Sequence, residues 1–192
     1  MKKVKVIFLD RDGVINKERP DYVKGWSEFE FLPGSLEAMK LLTLNGYCII
    51  VITNQSAVNR KMITDAELQE IHDKMTADLA ARGGNIEAIY YCPHLPEDDC
   101  SCRKPEPGLI YRAQTDYGLN LSETCVVGDS LKDMRIGRLT GCGRIILVRT
   151  GHGEETERIC QDAGITPDYV ADDLMAAVKW LLDEGSKLKA QS

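Results

Sequence analysis

The chain has 192 residues, enough for one domain with a substantial buried core. Hydrophobic residues make up 43% and charged residues 28%, an ordinary globular balance, and the net charge of -6 offers no basic face for nucleic acid. No stretch reaches the roughly 18 apolar residues of a bilayer span, and the apolar run after the charged start is too short for a signal peptide, so a cytoplasmic location without a membrane partner is expected.

The first element is a near-continuous apolar run over 4–9, which predicts a strand covered on both faces. It ends in Asp10-Arg11-Asp12-Gly13. Leu36, Met39 and Leu42 share one helical face over about 34–45, and Gly46 closes that helix. A strand over 47–52 leads to Thr53-Asn54-Gln55-Ser56. Thr64 and Glu67 form a capping box for a helix with Leu68, Ile71, Met75 and Leu79 on one face, and His72 is expected on that helix's surface. Strands then follow over 86–91, 125–127, 144–148 and, weakly, 169–171. Helices are predicted over 109–117, 131–140, 154–163 and 173–182, with Gly118 and Gly141 as stops. Residues 185–192 form a polar tail expected to fray. The alternation predicts a single three-layer α/β domain over 1–184, with a mainly parallel sheet between helices. Ligands bind such sheets at the carboxyl ends of the strands.

What stands at those ends is therefore decisive. Asp10 and Asp12 lie two apart on an extended segment, so both can face one site. Such a pair can bind Mg²⁺, attack phosphorus, or move a proton to and from oxygen. Alone, an Asp-x-Asp-Gly is more often a solvated turn. After the second strand, Thr53 offers a hydroxyl. After the third, Arg103 and Lys104 offer cations that can clamp or neutralise a phosphoryl group. After the fourth, Asp129 can approach as a further Mg²⁺ ligand, and Asp133, one helical turn on, can orient Lys104 or a metal-bound water. Each is weak alone. Together, in this order, they make a phosphoryl-transfer set.

Between the third strand and Lys104 the chain carries Cys92, His94, Cys100 and Cys102. Three thiolates and an imidazole suit a closed, structural Zn²⁺ site, which would tie down the loop delivering Arg103 and Lys104. Cys48, Cys125, Cys142 and Cys160 lie apart and read as packing residues. His152, in a Gly-rich turn, either approaches the site or is simply exposed. Too few residues separate Asp10 from Thr53 for an inserted lid of typical size, so an open site without a cap domain is expected.

This set resembles the haloacid dehalogenase superfamily of phosphohydrolases over nearly the whole chain. The resemblance implies Asp10 as nucleophile, Asp12 as general acid and base, and Thr53 and Lys104 as phosphoryl stabilisers. It also implies Mg²⁺ on Asp10, the backbone carbonyl of Asp12, and Asp129. Asp-Arg-Asp-Gly, Thr-Asn-Gln-Ser and Cys-Arg-Lys-Pro are similar to the capless branch holding D,D-heptose 1,7-bisphosphate 7-phosphatases and histidinol-phosphate phosphatases. The segments 13–16, 22–23 and 29–34 look more like the heptose group, while the short zinc loop resembles the histidinol group equally. The implied substrate is a heptose 1,7-bisphosphate losing its 7-phosphate on the way to nucleotide-activated heptose. Glu18, Arg19 and Tyr22 would contact the sugar, and Arg103 the remaining phosphate. Arg11, Asn54, Gln55, Ser56 and Ser130 would also border the substrate.

Two departures stand out. Val14 replaces a usual Thr, removing a hydroxyl from the first turn, and Ala57 and Lys61 replace two glycines in the loop 56–61, which should be stiffer. Two rivals stay open. One is a phospho-accepting receiver module, which would hold its phosphate rather than turn it over. The other is a zinc-organised binding protein with inert remnants. With no cap and no apolar seam, a monomer is the default.

Overall fold

The computed structural model describes residues 5–190, with side chains through 184. Six parallel strands, β1 (Lys5–Leu9), β2 (Tyr47–Asn54), β3 (Ala88–Cys92), β4 (Cys125–Gly128), β5 (Arg144–Val148) and β6 (Tyr169–Ala171), form one sheet in the order β3-β2-β1-β4-β5-β6. The chain fills one half of the sheet from β1 outward, then returns to the centre and fills the other half. The direction reverses between β1 and β4, the position where open parallel sheets leave a ligand crevice.

Alternation along each strand explains why both faces are covered. In β1, Ile7 and Leu9 pack with Met39 and Leu42 of α1 (Ser35–Leu44), Met75 and Leu79 of α2 (Asp65–Ala81), and Val178 and Leu181 of α6 (Leu174–Ala190). Val6 and Phe8 point the other way, against Ile110 of α3 (Gly108–Tyr117), Met134 and Ile136 of α4 (Leu131–Leu139), and Cys160 of α5 (Gly153–Asp162). All four β1 side chains are 3% exposed or less. At about 1.5–3 kcal/mol for each fully buried large aliphatic or aromatic side chain, this two-sided packing anchors the strand that carries Asp10.

The expected elements are present, with shifts of one or two residues at most ends. The last helix runs on through 185–190, the stretch read from sequence as a polar tail. Val4, Gln191 and Ser192 lie outside the described residues. The α2 capping box is formed: Thr64 Oγ1 accepts from Glu67 N at 3.2 Å, and Thr64 N donates to Glu67 Oε2 at 2.7 Å. His72 is a correction: it is 2% exposed, on the helix's inner side next to Ile71. Among the described residues, no helix is long and apolar enough to cross a membrane.

The loop after β2 carries the second departure. Lys61 has φ of 57°, in the left-handed region that favours glycine. Lys61→Gly should therefore stabilise the protein by about 0.5–1 kcal/mol, the release of left-handed strain outweighing the looser unfolded chain. Urea unfolding of the two proteins measures the difference.

Candidate active site

The strand ends converge as the sequence predicts, at the reversal point. Asp10 N donates to Val127 O at 3.0 Å, fixing the end of β1 against β4. Lys104, after β3, reaches under both. Its Nζ donates to Asp10 Oδ2 at 2.8 Å, Asp133 Oδ1 at 2.6 Å and Ile52 O at 3.0 Å. The three ammonium protons thus have three acceptors, at 3% exposure. Burial alone would lower this lysine's pKa, but Asp10 and Asp133 hold it protonated, above its ordinary value.

Asp133 is fully engaged. Its second oxygen accepts from Ser130 N at 3.1 Å and Ser130 Oγ at 2.5 Å. It orients Lys104 and caps α4 rather than presenting a free oxygen. Asp129, on the reversal's other side, accepts from His152 N at 2.8 Å. Gly13 and Gly151 press against it: a Cβ on either would lie 2.1 or 2.0 Å from Asp129 Oδ2. Only glycine allows that approach, and both adopt positive φ. Thr150 Oγ1 donates to Gly13 O at 2.6 Å, supplying to this turn a hydroxyl where Val14, wholly buried in the core, supplies none.

Asp10, Asp129 and Asp133 offer oxygens within 4.8 Å of one another. Burial pushes Asp10 up to about 7, with Lys104 opposing and Asp133 and Asp12 adding to the rise. Burial and the charges of Asp10 and Asp133 push Asp129 up to about 9. The crowding of three acids penalises their joint ionisation, which a divalent cation would relieve, and their oxygens are hard ligands. The set fits a divalent cation such as Mg²⁺: Asp10 accepts from Arg11 N and Lys104, and Asp129 from His152 N, and each carboxylate has lone pairs left for a cation.

Asp12 has a different environment. Its Oδ1 accepts from Asn16 Nδ2 at 2.9 Å and its Oδ2 from Gln55 Nε2 at 2.8 Å, while Arg11 Nη2 lies 2.9 Å from both. Burial would raise its pKa, yet the Arg11 charge and these donors hold it below the ordinary carboxylate value. Gln55 Nε2 also donates to Thr53 Oγ1 at 2.9 Å.

A cavity of about 410 Å³ opens over these groups, bordered by Asp10, Asp12, Thr53, Lys104 and Asp129, with Glu18, Arg19, Tyr22, Gln55, Ser56, Arg103 and Ser130 around them. Some expected substrate contacts have other work. The Arg11 side chain is 1% exposed and holds Asp12. Asn54 brackets Lys104, its Nδ2 donating to Lys104 O at 3.1 Å and its Oδ1 accepting from Lys104 N at 3.0 Å. Arg103 borders the cavity but spends Nη1 on His94 O at 3.0 Å. Ser56 Oγ donates to Tyr22 Oη at 3.3 Å. Sequence reasoning missed Lys132, Pro20 and Val23 at the cavity wall. His152 does both things considered for it: its exposed ring pairs with Glu18 at 2.9 Å while its backbone serves Asp129.

Cys92, His94, Cys100 and Cys102 form the second cluster. Sulfur–sulfur separations run from 3.1 to 3.6 Å, and His94 Nδ1 lies 3.5 Å from Cys92 Sγ and 3.3 Å from Cys102 Sγ. Four such donors around one point fit a closed tetrahedral zinc site. Cys125, Cys142 and Cys160 are buried packing residues as expected, and Cys48 is half-buried.

A family model described as HAD-hyrolase-like matches residues 101–177. The D-glycero-beta-D-manno-heptose-1,7-bisphosphate 7-phosphatase of Bordetella bronchiseptica is 41% identical over 181 residues, covering 94% of this chain and 99% of that protein. The enzyme of the same name from Neisseria meningitidis serogroup A is 40% identical, covering 97% and 100%. The chain belongs to this phosphatase family of haloacid dehalogenase-like hydrolases. The crystal structure of the B. bronchiseptica D,D-heptose 1,7-bisphosphate phosphatase, complexed with magnesium and phosphate, superposes with a TM-score of 0.89 and covers 94% of this chain and 99% of that one. The Burkholderia thailandensis enzyme, 35% identical, gives 0.70, covering 93% and 98%.

Two measurements test these electrostatics. Asp129→Asn should raise the melting temperature of the metal-free protein by roughly 2–4 °C, by removing a buried acid whose ionised form the pocket penalises, an effect of about 1 kcal/mol. It should also abolish the rise that Mg²⁺ gives the wild type; thermal unfolding with and without Mg²⁺ reads both. His72 is pushed down from 6.5 to about 3, by burial and then by Arg11. Between those values the unfolded chain binds a proton that the native state refuses. Native stability therefore falls as pH drops through that window, by up to about 1.4 kcal/mol per pH unit from this residue. His72→Gln should flatten that dependence, measured by urea unfolding at pH 7.5 and pH 5.

Proposed function

We propose that this chain hydrolyses the 7-phosphate of D-glycero-D-manno-heptose 1,7-bisphosphate through an aspartyl phosphate on Asp10, a step toward nucleotide-activated heptose. The observation that carries this reading is Lys104 buried against Asp10 in a cavity that also holds Asp12, Thr53 and Asp129. Asp10, Asp129 and the backbone carbonyl of Asp12 would hold Mg²⁺, which when bound neutralises phosphoryl charge. Cys92, His94, Cys100 and Cys102 would hold a structural Zn²⁺.

In the first step an Asp10 oxygen attacks phosphorus, the bond to the sugar oxygen breaks, and that oxygen takes a proton from Asp12. The free site holds Asp12 ionised, and an arriving phosphate dianion raises its proton affinity. In the second step Asp12 takes a proton from water, the water oxygen attacks phosphorus, and inorganic phosphate leaves as Asp10 regains its carboxylate. Thr53 Oγ1 accepts from Gln55, so its own O–H remains to donate to a phosphoryl oxygen. Lys104 stabilises the charge that grows on the phosphoryl group. Arg19, Arg103 and Lys132 make a cationic rim suited to the phosphate that stays on the sugar. The domain spans 1–184 as one unit and acts as a cytoplasmic monomer.

The test compares rates on both anomers of heptose 1,7-bisphosphate and on histidinol phosphate, for wild type and Asp10→Asn. The heptose bisphosphate should be preferred by at least about tenfold, a difference of 1.4 kcal/mol in transition-state binding, and Asp10→Asn should lose essentially all turnover while staying folded. A preference for histidinol phosphate moves the substrate to the sister group. Full turnover by Asp10→Asn removes the mechanism.

A further inference from the structure

Arg11 raises a question that the chemistry at Asp10 does not answer. It sits between the two aspartates and borders the cavity, yet its side chain is only 1% exposed. Its Nη2 is committed to Asp12, its Nη1 lies 3.4 Å from His72 Nε2, and its Nε has no hydrogen-bond partner among the described residues. A guanidinium so poorly supplied with acceptors can rotate about its stem unless something fixes its far side. His72 is the group found there. It comes from α2, some sixty positions away in sequence, and its ring is braced by Tyr91 at 5.9 Å between centroids. Tyr91 in turn donates to Asp65 Oδ1, in the first turn of the same helix, at 3.0 Å.

We infer that His72 is a positioning residue for the reaction: its Nε2 accepts from Arg11 Nη1 and so holds Nη2 against the Asp12 carboxylate. This rests on the reading of Asp12 as general acid and base. The ring must be neutral to accept at Nε2, and its burial and then the Arg11 charge beside it favour that state. The chain of contact is α2 to His72 to Arg11 to Asp12, with Gln55 and Asn16 fixing the carboxylate from its other sides. Without His72, Arg11 has one partner left to set its orientation, and the Asp12 proton is delivered from a less defined place. The consequence falls on the leaving group. A sugar alkoxide needs the proton from Asp12, whereas p-nitrophenolate leaves well without it.

The experiment measures kcat/KM, which reports phosphorylation of Asp10, for the sugar bisphosphate and for p-nitrophenyl phosphate. The proteins are wild type, His72→Phe, His72→Gln and Asp12→Asn, each with its Tm. His72→Phe should lose about tenfold or more on the sugar substrate, a fraction of the 10²–10⁴-fold of general acid catalysis, and markedly less on p-nitrophenyl phosphate. His72→Gln, whose amide oxygen can accept from Arg11, should recover most of the loss. If His72→Phe does not fold, His72→Leu serves the same comparison. Equal losses on both substrates, or no loss, while Asp12→Asn does discriminate between them, overturn the role of His72 alone. If Asp12→Asn does not discriminate either, the acid assignment fails and this inference with it.

Discussion

The site depends on one buried ammonium. Lys104 Nζ meets Asp10, Asp133 and the Ile52 carbonyl at hydrogen-bond distance, and the lysine and Asp133 side chains are 2% and 1% exposed. Removing a charge from water costs several kcal/mol, and deleting one partner of such a pair costs about 3–5 kcal/mol because the other is left stranded. Surface pairs such as Lys74 with Glu70 carry little by comparison. The arrangement therefore persists only if β1, β2, the loop before α3 and α4 all deliver their groups together. The zinc-ligand loop and Asn54 are the means of delivery: one ends two residues before Lys104, and the other bonds its backbone from both sides.

Two aspartates two residues apart are given opposite electrostatics. Asp10 faces Lys104 but shares its pocket with Asp129 and Asp133, and burial leaves it high. Asp12 is surrounded by donors from Arg11, Asn16 and Gln55, and is held low. For the proposed roles this metal-free order has to be reversed: a cation on Asp10 would hold it ionised, and an arriving phosphate would raise Asp12. The difference arises from what the flanking residues reach: Arg11 serves Asp12, while the third and fourth strand ends serve Asp10.

Much of this was legible in the sequence because it follows from periodicity. Continuous apolar runs marked the parallel strands, and the polar residues that end them were bound to gather at one rim. Asp10, Asp12, Thr53, Lys104 and Asp129 were found that way, and the Cys and His ligand spacing gave the second cluster. What stayed hidden depends on contacts between distant elements. His72 sits beside Ile71 on an amphipathic helix, and a single polar residue there reads as surface; nothing in α2 announces that Arg11 lies opposite. Likewise Asn54 and Arg11 read as substrate contacts because they stand next to positions read as catalytic. Only the fold reveals that Asn54 turns to the Lys104 backbone and Arg11 to Asp12.

The departures at the first turn and the β2 loop fit the same logic. A turn that brings Gly13 against Asp129 needs its carbonyl oriented, and the donor can come from any element within reach. Here it comes from Thr150, after β5. Val14 is then free to become a core residue packed with Ile15 and Leu36. A change at Thr150 would thus be read at the active site even though Thr150 stands on the fifth strand end, beyond the four that carry the acids and the lysine.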